Sequence, residues 1–235
     1  MINPRGWLAW RVNNLVKGIL LTLCKVDYRE LESIPLTGPA IVVMNHVNFL
    51  EVPLVSSLLF PRPCVGLVKK ETNNNPLFAF LGTIWGAILI DRDTTDLKAM
   101  NKAIESILAG NILLMAPEGT RSRDGILREA RHGITLLAAR TGAPVIPLGH
   151  TGGERFWANL KTFKRTPVSI RVGGTLTLQP RLSRTEREKA LWEIMRAIAM
   201  LLPTWQWGVY ASTNEQSVDP SDNPSDEPKT HHSLD

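Results

Sequence analysis

His46 and Glu51 stand five residues apart, directly after the apolar run AIVVM of residues 40–44, and no other pair in the chain is better suited to acid–base chemistry. A carboxylate that holds one nitrogen of an imidazole fixes its tautomer, and the other nitrogen is then free to take a proton. Such a pair is a general base for an acceptor hydroxyl. A histidine at the end of a strand is also an ordinary capped loop residue, so the pair needs support from elsewhere in the chain. Asp91 and Arg92 follow the run GAILI, and Pro-Glu-Gly-Thr-Arg-Ser follows NILLMA, bringing Glu118 and Arg121. Arginine suits a phosphate because its fork makes two parallel hydrogen bonds to the oxygens. The constellation reads as a hydroxyl to be deprotonated on a molecule that carries a phosphate. His150 also follows an apolar run but has no acid at the same spacing, and His132 in ARHG reads as flanking a helix. Lys69 and Lys70 read as a solvated edge.

Several chemistries are excluded by what is missing. The chain has no G-x-S-x-G elbow, no phosphate-binding G-x-x-x-x-G-K-[ST] loop, no G-x-G-x-x-G and no His or Cys pair at zinc spacing. Its two cysteines, Cys24 and Cys64, lie in apolar surroundings and read as reduced core residues of a cytoplasmic protein. A covalent acyl-enzyme lacks its nucleophile, so the substrate itself supplies one.

These residues act together only if the elements that carry them deliver them to one place. Apolar runs at 40–45, 64–68, 86–90, 111–116 and 144–149 recur at the rhythm of βαβ units, with helices expected at 53–59, 75–81, 96–108 and 133–140. The fold class is therefore α/β, a single domain with a mainly parallel sheet flanked by helices. In such a sheet the groups that follow the strands emerge on one edge, where ligands bind. The alternating piece 168–178 predicts one or two edge strands broken near Gly173 and Gly174. Ser183 with Glu186 predicts a capped helix running to Pro203.

The ends differ from this body. Residues 5–25 predict a basic amphipathic helix with a stripe of Leu8, Val12, Leu15, Val16, Ile19, Leu20 and Leu23, with Asn13, Asn14 and Lys17 outside it. Trp7 and Trp10 suit a headgroup interface, so residues 1–30 read as membrane-associating, 31–210 as the main domain and 211–235 as a disordered acidic tail. The net charge of +5 divides into −5 on that tail and +10 on the rest. A basic body attracts anionic lipid, nucleic acid or phosphorylated small molecules alike. Nucleic acid is set aside because the aromatics lie mostly in apolar runs and form no stacking platform. No run reaches the ~20 apolar residues of a spanning helix, and no cleavable leader is evident, which places the protein in the cytoplasm, peripheral on the inner face of the membrane.

NHVNFLE, GAILIDR, PEGTRS and APVIPL, in this order, resemble the four sequence blocks of the 1-acylglycerol-3-phosphate acyltransferases, a likeness that covers roughly residues 35–148. The resemblance implies that His46 is the general base and Glu51 its orienting partner. It implies that Arg92 holds the acceptor phosphate, that Glu118, Gly119, Thr120 and Arg121 bind the glycerol phosphate, and that Pro144 to Pro147 shape the site. The implied reaction moves a fatty acyl group from acyl-CoA or acyl carrier protein thioester to a lysophospholipid, first of all lysophosphatidate, without metal or cofactor. Such enzymes usually carry aspartate where this chain has Glu51, whose extra methylene lengthens the arm by ~1.5 Å. Two alternatives stand beside this reading: transfer by the same chemistry to another lysolipid or glycolipid, and, prompted by the unusual Glu51, a catalytically silent peripheral lipid-binding protein.

Overall fold

The run that ends at His46 forms the middle of the sheet because all five of its residues are apolar enough to be buried on both faces. The computed structural model of the chain describes residues 6–91 and 96–211. Its strands are β1 (Cys24–Asp27), β2 (Ala40–Met44), β3 (Cys64–Lys69), β4 (Ile88–Ile90), β5 (Ile112–Met115), β6 (Val145–Thr151) and β7 (Thr166–Val172). They form one sheet in the order β1-β7-β6-β2-β5-β3-β4. The five strands from β6 to β4 are parallel, as expected. β7 runs antiparallel to β6, and β1 pairs in parallel with β7, so both run against the rest.

Alternation along β2 builds two cores. Ile41 and Val43 point to one face, where α4 (Leu97–Leu108), α5 (Gly133–Thr141) and α7 (Arg184–Ala199) close over them. Ala40, Val42 and Met44 point to the other, covered by α1 (Trp7–Leu23), α2 (Glu51–Leu59) and α6 (Phe156–Lys161). α3 (Pro76–Ile84) starts from an Asn75 side chain that accepts from the N–H groups of Leu77 and Phe78. The predicted capping box is present: Ser183 and Glu186 satisfy each other's N–H groups at the start of α7.

The differences from expectation have local causes. β1 escaped notice because CKVD is short and half charged. α6 is too short to show a period. α2 begins two residues before the expected start, since Pro53 lies in its first turn, where a missing N–H costs nothing. α1 lies where the pattern put it, but Asn13 is buried rather than outside the stripe. Its amide donates to Ser57 O at 3.2 Å and accepts from Trp85 Nε1 at 3.2 Å, so both ends of the polar group are paired and it can face the protein. Leu15 and Ile19 are consequently turned outward, 64% and 51% exposed. Residues 24–27, read by sequence as part of the N-terminal segment, are a strand of the sheet. Arg92 and the acidic tail from 212 onward lie outside the described residues.

Candidate active site

β2 ends where side chains change from aliphatic to amide and imidazole. Asn45 is buried, donating from Nδ2 to His150 O at 2.8 Å and accepting at Oδ1 from His150 N at 2.8 Å. This reciprocal pair clamps the end of β2 to β6 and fixes where the next residue emerges. His46 emerges into the crevice with 12% of its side chain exposed, and its Nδ1 lies 2.7 Å from Glu51 Oε1. The longer glutamate arm therefore reaches the imidazole.

Glu51 opens α2 and has no exposed surface, so its charge must be satisfied internally. Besides His46 it accepts from Asn48 N, at 3.0 Å on Oε1 and 3.2 Å on Oε2. Asn48 is itself fixed, its Nδ2 donating to Gly153 O at 2.6 Å and its Oδ1 accepting from Leu50 N at 2.7 Å. Burial pushes the Glu51 carboxyl up, but the His46 hydrogen bond and the electrostatic interactions with His150 and His46 outweigh it, leaving the group below the usual carboxylate range. An ionised Glu51 takes the Nδ1–H, and Nε2 is left as the nitrogen able to accept a proton.

The loop after β5 is sewn to the same turn. Ser122 N donates to His46 O at 2.7 Å and Arg123 N to Val47 O at 3.1 Å. Glu118, expected from the resemblance to bind glycerol phosphate, is placed otherwise: it is 3% exposed and accepts from His46 N at 2.8 Å and Arg128 N at 2.9 Å. Both oxygens are engaged by backbone, and an anion would be repelled by them. Glu118 ties the His46 turn to the following loop. Burial, which outweighs those two hydrogen bonds, pushes its carboxyl up to about 7. The folded chain therefore holds a proton between pH ~4.5 and ~7 that the unfolded chain has lost, and stability declines as pH rises through that window, by on the order of 3 kcal/mol. Glu118→Gln removes this titration. Chemical unfolding of both forms at pH 5 and pH 8 is expected to show a steeper loss for the wild type, and parallel pH dependences would contradict the assignment.

Gly119, Thr120 and Arg121 line the cleft with His46. Gly119 has φ +68°, and a Cβ there would meet Arg131 Nε at 3.0 Å, so glycine both permits the turn and leaves room for that guanidinium. The cleft has a volume of about 800 Å³. Phe49, Val52, Leu67, Phe78, Leu81 and Trp85 give it an apolar wall, while Arg121, Arg123 and Arg131 stand on its rim. A second hollow of about 630 Å³ shares Leu67, Gly119 and Arg131 with it. Sequence reading missed Arg123 and Arg131. Arg123 was within reach, two residues beyond Arg121 in the same block, whereas Arg131 comes to the site through the space that Gly119 leaves, which no spacing announces.

Neither cysteine offers a nucleophile. Burial pushes the Cys64 thiol up to about 12, and it raises Cys24 as well. His150 is fully buried and out of reach of a substrate, which removes it as a rival base.

Sequence and fold both resemble those of known proteins. The family model described as Acyltransferase matches residues 25–151, which carry β2 to β6, most of β1, the dyad and the Glu118 loop. The chain belongs to the acyltransferase family. Within the family it is 31% identical over 179 residues to a 1-acyl-sn-glycerol-3-phosphate acyltransferase of Limnanthes douglasii, covering 73% of this chain and 63% of that protein. The acyltransferase of the same description from Pseudomonas aeruginosa is 29% identical over 136 residues, covering 57% of this chain and 51% of its own length. The chain thus spans less than two thirds of these family members. The crystal structure of the 1-acyl-sn-glycerophosphate acyltransferase of Thermotoga maritima superposes with a TM-score of 0.64 over 84% of this chain and 80% of that one, at 24% identity, a likeness of fold.

Proposed function

We propose that this protein transfers a fatty acyl group from a thioester to the free hydroxyl of lysophosphatidate, giving phosphatidate. The observation that carries the reading is the 2.7 Å contact of His46 Nδ1 with the buried Glu51 at the mouth of a cleft walled by apolar groups and rimmed by arginines. His46 Nε2 takes the hydroxyl proton as the oxygen attacks the thioester carbonyl; the C–S bond then breaks, and the thiolate takes a proton, which the imidazolium is placed to return. The apolar wall suits an acyl chain, and the rim suits the acceptor's phosphate. Holding that phosphate makes the encounter a positioned reaction. Two adjoining hollows suit two substrates. The names of the family members support lysophosphatidate as acceptor. The donor, acyl-CoA or acyl carrier protein thioester, follows from the resemblance.

The membrane reading of α1 is supported by its outward face. Trp7, Trp10, Leu15 and Ile19 are each more than half exposed, and Arg11 stacks on Trp7 with its guanidinium carbon 4.6 Å from the ring centroid. Large rings with a polar edge and cationic neighbours suit a headgroup interface. Among the described residues no helix is long and apolar enough to cross a membrane.

The acceptor is tested by measuring phosphatidate formation with lysophosphatidate against lysophospholipids whose phosphate is a diester, in the wild type and in Arg121→Ala. Arg121→Ala is expected to raise the KM for lysophosphatidate about tenfold, the value of one charge-assisted contact, with a smaller change in kcat. An equal preference for diester acceptors, untouched by the substitution, would point to a different lysolipid.

A further inference from the structure

The hollow of about 630 Å³ that adjoins the dyad cleft lies across the sheet from α1. Its floor is Leu67, Ile90, Met100, Met115 and Leu136, and the first four of these belong to the core that α4, α5 and α7 share with the sheet. α1 packs into the opposite core, and there Trp85, a wall of the dyad cleft, donates from Nε1 to Asn13 of α1 at 3.2 Å. The dyad cleft therefore lies on the α1 side and the second hollow on the α7 side. They meet at Leu67, Gly119 and Arg131. That junction is next to the base, since Glu118, the residue before Gly119, accepts from His46 N at 2.8 Å.

The charged groups around the second hollow are unevenly matched. Asp96 accepts from Ala99 N at 3.0 Å and Asp91 N at 3.1 Å, and Lys70 Nζ lies 3.4 Å from Asp96 and 3.7 Å from Asp91. Glu188 accepts from Arg184 Nε at 3.0 Å. Arg187, exposed near the start of α7, has no side-chain hydrogen bond or ion pair among the described residues. A guanidinium over an apolar hollow, with no carboxylate of its own, suits a phosphate joined to a less polar body. Which substrate brings that phosphate follows from where each carries it. Lysophosphatidate has its phosphate on the carbon next to the reacting hydroxyl, so that phosphate must lie close to His46. A thioester donor has its phosphate at the far end of a pantetheine arm, a slender chain of methylenes, two amides and a dimethyl carbon, and so needs a cation across a hollow from the base.

We propose that the second hollow receives the phosphopantetheine arm of the acyl donor, with its phosphate at Arg187 and its thioester at the Gly119 and Arg131 junction, where the acyl chain passes into the dyad cleft. The inference rests on the transfer from a thioester proposed above. It brings the two substrates to His46 from opposite sides of the sheet. The lipid acceptor enters beside α1, whose outward face suits a membrane, and the water-soluble donor enters beside α7. The free thiol then leaves by the way it came, without displacing the phosphatidate.

Phosphatidate formation by the wild type is measured first, from acyl-CoA, from acyl carrier protein thioester and from acyl-pantetheine, which has no phosphate, so that failure of the reaction itself is told apart from failure of this inference. Arg187→Glu places a carboxylate near the start of a helix, where the helix dipole favours it, so the fold is kept. The KM for a phosphate-bearing donor is expected to rise about tenfold, with kcat and the KM for lysophosphatidate changed by less than about twofold. With acyl-pantetheine the same substitution is expected to leave the donor KM in place. A rise with acyl-CoA assigns the site to the phosphates of CoA, and a rise with the carrier protein thioester alone assigns it to the phosphodiester of that carrier. Leu136→Trp fills the hollow from α5 and is expected to raise the KM of all three donors while sparing that of lysophosphatidate. A rise in the KM for lysophosphatidate in place of the donors would overturn the proposal. So would an equal effect of Arg187→Glu on acyl-pantetheine, no effect of it on any donor, or unchanged donor KM values in a folded Leu136→Trp. Arg187→Glu carries the test by itself where the bulkier variant does not fold.

Discussion

His46→Ala is expected to lower acyl transfer by about 10³- to 10⁴-fold while leaving the fold and the affinity for both substrates close to those of the wild type. A positioned general base contributes about 10²- to 10⁴-fold, and here its loss also removes the group placed to protonate the leaving thiolate. The fold is spared because the hydrogen bonds that position this residue come from its backbone. His46 N donates to Glu118 and His46 O accepts from Ser122 N, and alanine retains both. What alanine leaves behind is Glu51, buried with its Asn48 contacts and without its imidazole. Some stability is lost on that account, about 1–3 kcal/mol. The check is kcat against the thermal midpoint: a variant that binds lysophosphatidate, melts as a folded protein and retains more than a tenth of the wild-type rate would remove His46 from the mechanism.

Glu51→Gln is the second large effect, a loss of about 10²- to 10³-fold in kcat with little change in KM. The amide is nearly isosteric, but only its oxygen can accept. If that oxygen faces His46 Nδ1, the amide NH₂ faces Asn48 N–H, donor against donor; if it is turned, it faces the imidazole with a donor and imposes the wrong tautomer. Either way the negative charge that stabilises a developing imidazolium is gone. Glu51→Asp retains the charge and shortens the arm by ~1.5 Å, drawing the carboxylate away from a nitrogen now 2.7 Å distant, and is expected to fall between wild type and Glu51→Gln. The order wild type, aspartate, glutamine in kcat is the expected result. Aspartate equal to or faster than glutamate would show that the turn relaxes freely around the shorter arm, against the braced network seen around Asn48.

The parts of this site that were legible in the sequence are those carried by strands. Five apolar runs marked β2 to β6 to within a few residues; β2, β5 and β6 are buried on both faces and have no alternative to being apolar, while β3 and β4 are apolar though only partly buried. From the parallel order it followed that His46, Asp91 and the Glu118 loop share one edge. The His46–Glu51 pairing was read from a spacing of five and is present at 2.7 Å. What the sequence did not reveal is how side chains divide the work within a block. Glu118 sits in the same motif as Arg121, yet one is buried among backbone N–H groups and the other stands on the cleft rim, a difference set by the turn at Gly119 rather than by residue type. His150 was weighed as a second base because it follows a strand. Its burial depends on the crossing of Gly153 over the ring, 105 residues from Asn48 in sequence, and no local pattern encodes that. Asn13 was placed outside the helical stripe on polarity alone, whereas two specific partners make burial acceptable.

In the proposed reaction the lysophosphatidate hydroxyl, activated by His46, is itself the nucleophile. The most direct test is the pre-steady-state release of free thiol from an acyl thioester mixed with stoichiometric protein, with and without lysophosphatidate. No burst and no acylated protein are expected without the acceptor, and with it a thiol release that matches phosphatidate formed. A stoichiometric burst of thiol with the acyl group bound to the protein, in the absence of acceptor, would contradict it.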